Sequence, residues 1–292
     1  MSFKAMGWLC VVLLWCADVL ADTDKPVITW RAPDFPPFFA GIDGRNGGVL
    51  DRLHLLVTDA MPEYQHRYRQ SDFARMIYEM ERGVSTCSYA LLWTPERSTF
   101  VAYSDPVIPM LPPGLVLRRD QADRLAPLYG GERRVSLTAL LENESLRLGV
   151  VRGRSYGRAV DQIARQYFNR VGLNDPRTVR LRHAELLFGL LEAGRVDAIL
   201  AHSSEVHYYA GSSNTDLVFL ALTEQPAYLL QYYGCPRGAW GNAIIDAIDK
   251  VLEDPAIRQE GRDLYRQTLL PVDRRAYDDV FDLFMERRRA LP

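Results

Sequence analysis

The sequence predicts an α/β chain built as two lobes. Two stretches repeat one order of parts: Met76 to Ala90 and Leu186 to Ala201 each run helix, acidic turn, glycine, apolar strand. Short β-type runs also alternate with helical apolar spacing along the chain, the pattern of strand–helix–strand units. The 292 residues are enough to supply two separate cores.

Composition narrows the function classes. Hydrophobic residues make up 48% and charged residues 25%, which are ordinary globular values. The net charge of −2 lacks the basic excess of a nucleic-acid-binding domain, so no nucleic-acid partner is expected. Lys4, the apolar run from Met6 to Cys16 and the Val19-Leu20-Ala21 step before Asp22 read as an export signal, residues 1–21. The run is shorter than the roughly 20 residues a spanning helix needs, and Asp18 interrupts its end. A lipoprotein signal at Cys16 would need small residues before the cysteine, where Leu14 and Trp15 stand. The predicted location is therefore the periplasm, with cleavage after Ala21. Cys10 and Cys16 leave with the signal. Cys87 and Cys235 remain, either as a disulfide or as two separate buried thiols.

Taken in order, Val27 to Trp30 is β-type, and Ala32 to Phe39 holds three prolines that exclude helix and central strand. This is a stiff loop displaying Phe35, Phe38 and Phe39 behind Asp34. After Asn46-Gly47-Gly48, the spacing of Val49, Leu50, Leu53, Leu56, Val57 and Ala60 predicts a helix that Met61-Pro62 stops. Tyr64 to Arg69 alternates like a strand. Ser71-Asp72 is a good N-cap for a helix carrying Phe73, Met76, Ile77 and Met80, ended by Gly83. An apolar strand then breaks at Thr94-Pro95, with Arg97 just beyond. Short strands follow at Thr99 to Tyr103 and Gly114 to Arg118. A guanidinium at a strand mouth is placed to hold a carboxylate by two parallel hydrogen bonds. It can equally be a surface arginine paired with Glu96.

Gln121 to Arg134 is charged and loop-like around Gly130-Gly131, and Ser136 to Leu141 is a short helix. Leu146 to Val151 is a strand. The turn Arg152-Gly153-Arg154-Ser155-Tyr156-Gly157 leads from it into a helix, Arg158 to Phe168. Such a turn can present backbone N–H groups to an anion or be a plain connection. It lacks the Gly-Lys-Ser/Thr ending of a P-loop. Val179 to Leu181, Val196 to Ala201, Leu217 to Leu222 and Tyr228 to Tyr233 read as strands, with a helix from His183 to Leu191 and His202 at the end of the second of these strands. Helices are predicted from Trp240 to Leu252, from Asp254-Pro255 to near Leu270, and from Tyr277 to Arg289. The closing Arg287-Arg288-Arg289 suits a helix C-terminus.

Thr94-Pro95-Glu96-Arg97, then Val101-Ala102-Tyr103-Ser104-Asp105-Pro106, then Gly114-Leu115-Val116-Leu117 resembles the central signature of family-3 extracellular solute-binding proteins. Gly149 to Gly153 and Gly194 to Ala198 extend the likeness over nearly all of the mature chain. The resemblance implies the type II periplasmic binding protein fold, two Rossmann-like lobes joined by two crossing strands. Lobe one would hold residues 22–116 and 225–292, lobe two residues 117–224. It implies a monomer without cofactor or metal, closing on a small-molecule solute and serving an inner-membrane transporter or receptor. It places Arg97 on the ligand's carboxylate and Phe35 against the ligand. The turn bearing Arg152, Arg154, Ser155 and Tyr156 would cover it from the second lobe. Asp34, Leu92, Thr94 and His202 complete the candidate site. It also puts Cys87 and Cys235 in strands of lobe one, where a bridge would tie the two crossings.

Two positions depart from the amino-acid-binding pattern. Leu92 stands where a Ser or Thr hydroxyl is common, and His202 where an aspartate takes the α-ammonium. An imidazole is a poor partner for an ammonium, and Arg152 and Arg154 add positive charge, so a carboxylated or acidic solute is expected. His202 can also be a structural histidine. Two other functions on this scaffold are a dehydratase-like enzyme, with His202, Asp34 or Glu96 as general acid, and a sensor docking on a receptor. No nucleophile–base pair or metal-ligand spacing stands out, so binding is favoured over catalysis.

The export reading has a direct check. Protein recovered from the periplasm should have the mass of a chain beginning at Asp22; a membrane-bound chain beginning at Met1 would refute it.

Overall fold

The computed structural model describes residues 25–40, 47–128, 134–142, 146–172, 175–210 and 216–289. The export signal with its Ala21 site, Cys10, Cys16, Asn46 and Gly130-Gly131 lie outside them.

The chain begins with β1 (Val27–Ala32), α1 (Val49–Asp59), β2 (Gln65–Gln70), α2 (Phe73–Glu81) and β3 (Thr86–Leu92). One 3-10 turn at Arg97–Thr99 precedes β4 (Val101–Tyr103) and β5 (Pro109–Met110). After a crossing at 111–113 come β6 (Gly114–Arg118), α3 (Arg119–Leu125), β7 (Arg134–Val135), α4 (Leu137–Leu141) and β8 (Leu148–Val151). Next are α5 (Arg158–Val171), β9 (Thr178–Leu181), α6 (Ala184–Glu192), β10 (Ala198–Ala201), α7 (Ser203–Ala210) and β11 (Leu217–Leu222). The chain recrosses at 223–228 into β12 (Leu229–Pro236), α8 (Ala239–Val251), α9 (Pro255–Thr268) and α10 (Pro271–Arg289).

The strands form two sheets, ordered β2-β1-β3-β12-β4, with β5 also on β12, and β7-β11-β6-β10-β8-β9. In each, three parallel strands (β2-β1-β3 and β9-β8-β10) meet an antiparallel strand beside a crossing, β12 in the first and β6 in the second. The repeat seen in the sequence is this shared unit, with α2–β3 matching α6–β10.

Local signals explain the helices. Leu50, Leu53 and Val57 form the buried face of α1. Asp72 caps α2 by accepting from Arg75 N–H at 2.9 Å, and Ser136 caps α4 by accepting from Ala139 N–H at 3.2 Å. Period-two alternation divides the second sheet. Leu115, Leu117, Leu148, Val150, Ala198 and Leu200 pack into a core of its own. Val116, Val151, Ile199 and Ala201 point the other way and are continuous with the core of the first lobe.

Three differences from the sequence expectation have physical reasons. The charged stretch expected as loop begins as helix α3, which buries only Ala122 and Leu125, too few apolar positions to show a period. Helix α7 follows His202 and buries Ser203, Ser204 and Glu205 beside Val206, so its buried face is mostly polar and carries too few apolar positions to show a period. The lobe boundary expected after Val116 falls inside β6, which pairs from Gly114 onward with β10 in the second sheet.

Cys87 on β3 and Cys235 on β12 form a disulfide, sulfur to sulfur 2.03 Å, spanning 148 residues of sequence. It joins the strand before the first crossing to the strand after the second and encloses the whole second lobe. In the chain-entropy model a loop of that size contributes roughly 5 kcal/mol at most. Replacing both cysteines with alanine should therefore lower the unfolding free energy by about 2–5 kcal/mol in a denaturant titration. Two free thiols in the denatured, unreduced protein would show that the bridge does not form.

Candidate functional site

The lobes meet where β3, the turn after β8 and the start of α7 converge. Leu92 ends β3, and Thr94 shapes the turn beyond it. Its Oγ1 accepts from Arg97 N–H at 3.2 Å and its carbonyl from Ser98 N–H at 3.0 Å. This turn sends Arg97 inward, where it is buried. Its Nη1 donates to Leu92 O at 3.3 Å in its own lobe, and its Nη2 to Gly153 O at 2.9 Å in the other. Among the described residues no carboxylate lies within ion-pair distance of it. Burial pushes its pKa down, opposed by Tyr103 and Asp161.

The second lobe approaches closely. Gly153 has φ +79°, and a Cβ there would lie 2.6 Å from the backbone N of Ala74 across the junction. Tyr156 OH accepts from Val151 N–H at 2.7 Å, closing the turn on itself. Ser155 Oγ donates to Asp161, which also accepts Tyr156 N–H at 2.7 Å. The entry to α5, expected to favour a ligand anion, is thus served by the chain's own carboxylate. Burial pushes the Asp161 pKa up, against these hydrogen bonds.

Arg154 occupies the centre. Its side chain is only 4% exposed, and it is paired at both nitrogens with Glu205, Nη1 to Oε1 at 3.1 Å and Nη2 to Oε2 at 2.7 Å. Its Cζ lies 4.1 Å over the Phe35 ring and 5.0 Å from the Tyr156 ring. Burial would lower the Arg154 pKa, but Glu205 and Tyr156 outweigh it and raise it. Arg154 therefore adds no free positive charge to the wall, contrary to expectation. Glu205 escaped the sequence reading. Its signal was its place three residues after the N-cap, from which Oε2 accepts His202 N–H at 2.7 Å as in a capping box.

His202 is buried against Phe35 and Phe38, with Nδ1 3.0 Å from Leu111 O on the first crossing. Burial first, then Arg154, holds its pKa at about 3, so the ring is neutral with Nδ1–H donating. The other crossing is tied by Gln225, whose Nε2 donates to Pro113 O at 3.2 Å and Tyr156 O at 2.7 Å. Thr268 on α9 adds a 3.2 Å hydrogen bond to Ser204 on α7.

Two spaces remain. An inner pocket of about 50 Å³ lies among Phe35, Leu92, Arg97, Arg154, His202 and Gln231. It has room for water but is far smaller than a metabolite site. An outer cleft of about 470 Å³ lies between α2 and α5, lined by Thr94, Arg97, Arg152, Arg165 and Arg180. Arg97, Arg154 and Ser155 line both. Of the residues named from sequence, Phe35, Leu92, Thr94, Arg97, Arg154, Ser155, Tyr156 and His202 come together here, and exposed Arg152 lines the outer cleft alone. Asp34 does not join them: it is exposed and lines a separate pocket with Trp30, Arg69 and Tyr89. The three residues offered as general acids are not gathered either. His202 is neutral inside, Asp34 lies apart, and Glu96 is paired at the surface with Arg165 at 2.8 Å. The described residues include no cluster of metal-ligating side chains and no helix long and apolar enough to cross a membrane.

No family model and no curated protein matches the chain. Solved structures do. An amino acid ABC transporter substrate-binding protein from Streptococcus pneumoniae bound to L-arginine aligns at TM-score 0.61 and 14% identity, over 84% of this chain and 93% of that one. An ancestral arginine-binding protein bound to arginine aligns at 0.62 and 16%, over 83% and 98%. A histidine kinase sensor domain similar to periplasmic binding proteins aligns at 0.60 and 16%, over 84% and 94%. The chain has the two-lobed type II periplasmic binding protein fold.

The neutral imidazole gives a pH prediction. In the unfolded chain a histidine titrates near 6.5, so below that pH the unfolded state binds a proton that His202 in the fold does not. The stability it contributes is intact above pH 6.5 and is lost as pH falls toward 3. The stability difference between wild type and His202→Asn should therefore shrink by about 1.4 kcal/mol per pH unit below 6.5. Urea titrations of both proteins from pH 7.5 to 5 test this; a constant difference would show that His202 titrates in the fold as it does in the unfolded chain, and a difference that grows as pH falls would show that the fold holds it protonated.

Proposed function

We propose that the protein is an exported solute-binding protein that takes a small carboxylated solute between its lobes, with Arg97 as the anchor. The observation carrying this is a buried guanidinium with no carboxylate partner among the described residues. Among the described residues the Arg97 guanidinium bonds to two carbonyls, one from each lobe, and keeps further N–H donors. Withdrawn from water, it favours an anion more strongly than a surface arginine does. The outer cleft beside it adds Arg152 and Arg180 and the ion pair of Arg165 with Glu96, against Glu81 and an Asp161 already engaged by the entry of α5.

His202 bears on the rest of the solute. A neutral ring that spends its N–H on Leu111 O offers no charge to an α-ammonium. The carboxylate is thus better provided for than an amino group, although the structural neighbours include proteins bound to L-arginine. The general acids that a cleft enzyme would need are dispersed, which favours capture over turnover. Neighbours on this fold that include a transporter component and a kinase sensor domain support an inner-membrane transporter or a receptor as the partner.

A thermal-shift screen of carboxylated metabolites, followed by calorimetry, identifies the solute. Arg97→Ala should then weaken binding by about 2–5 kcal/mol, roughly thirtyfold to several thousandfold. Arg97→Lys should also weaken it, since it keeps the charge but loses the planar fork. Unchanged affinity in a folded Arg97→Ala protein would sink the assignment.

A further inference from the structure

The ring of Phe35 and the carboxylate of Glu205 are both held in place by the chain's own residues. Phe35 is held by Phe38, Phe39 and Phe73, with ring centroids at 4.9, 6.3 and 5.8 Å. Glu205 is wholly buried and fixed by His202 N–H at the start of α7. An aromatic shelf beside a forked carboxylate is a receptor for a planar cation. Arg154 fills it, taking both carboxylate oxygens and lying 4.1 Å over the ring. The shelf belongs to the first lobe, whereas the cation and the carboxylate belong to the second. Filling the subsite therefore draws the lobes together, as Arg97 on Gly153 O and Ser204 on Thr268 also do.

We propose that Phe35, Tyr156 and Glu205 form a guanidinium subsite which Arg154 occupies as an internal ligand, closing the lobes without a solute and shutting cationic side chains out of the cleft. The assignment goes beyond the carboxylate reading and does not depend on it. If Arg97 anchors nothing, the shelf, carboxylate and guanidinium still meet as described. A solute that enters must either leave Arg154 in place or displace it from Glu205. A buried carboxylate cannot stay charged alone, so displacement requires another cation in the same position.

The experiment uses ethylguanidinium, which replaces the part of Arg154 beyond Cβ, and ethylurea as its uncharged counterpart. In Arg154→Ala, ethylguanidinium at about five times its dissociation constant should raise the melting temperature by about 2–4 °C. Ethylurea should leave it unchanged, and wild type should respond to neither. Small-angle scattering should show a larger radius of gyration for Arg154→Ala than for wild type, reversed by ethylguanidinium. An equal response in wild type and variant, or none in the variant, would overturn the proposal. If Arg154→Ala does not fold, the paired change Arg154→Met with Glu205→Gln removes both buried charges. It should fold, scatter as an opened molecule and ignore ethylguanidinium; a closed profile from that pair would equally overturn the proposal.

Discussion

A guanidinium and a carboxylate withdrawn from water stay charged only if they are paired, and Arg154 and Glu205 meet that requirement where the two lobes touch. Much of the junction follows from it. Glu205 can face inward because Arg154 reaches it, and in facing inward it also caps α7. Arg154 can cross the junction because Phe35 offers a flat apolar face for a weakly hydrated cation. His202 is kept neutral by the same burial and by the neighbouring guanidinium, which commits its ring N–H to the crossing at Leu111.

The two arginines at the junction differ in what burial demands of them. Arg154 has its counter-ion inside the chain. Among the described residues the Arg97 guanidinium meets carbonyl oxygens, which supply partial charge but no neutralisation. The two residues therefore differ in how their charge is met, although both look alike in sequence as cationic turn residues just past a strand. Two of the three carboxylates lining the outer cleft are likewise committed, Asp161 to Ser155 and the entry of α5, and Glu96 to Arg165, while Glu81 stands on the α2 side.

Closure depends on short connections. The crossings at 111–113 and 223–228 are pinned by His202 and Gln225, and their flanking strands β3 and β12 by the disulfide. Gly153 lets the second lobe approach the backbone of Ala74 more closely than any side chain would allow. The lobes share a continuous apolar core through Val116, Val151 and Ile199, so they meet as a packed interface.

Apolar periodicity carried the fold. The strands of both sheets and helices such as α1, α2 and α9 follow from local spacing and caps, because Leu53, Asp72 and Asp254 act within a turn of their own backbone. Where the buried face is polar, as in α7, or only two residues wide, as in α3, periodicity has nothing to register. Four of the positions that the resemblance implied for a candidate site, Phe35, Arg97, Arg154 and His202, line one pocket. Their roles were not legible. Which arginine has a carboxylate partner depends on Glu205, separated from Arg154 by 51 positions, and on a helix marked in the sequence by a capping signal alone. Whether Asp34 faces the cleft depends on how the proline loop folds back on itself. Charge state, pairing and the space left for a solute are set by distances between lobes, and those distances exist only once the two crossings have brought the lobes together.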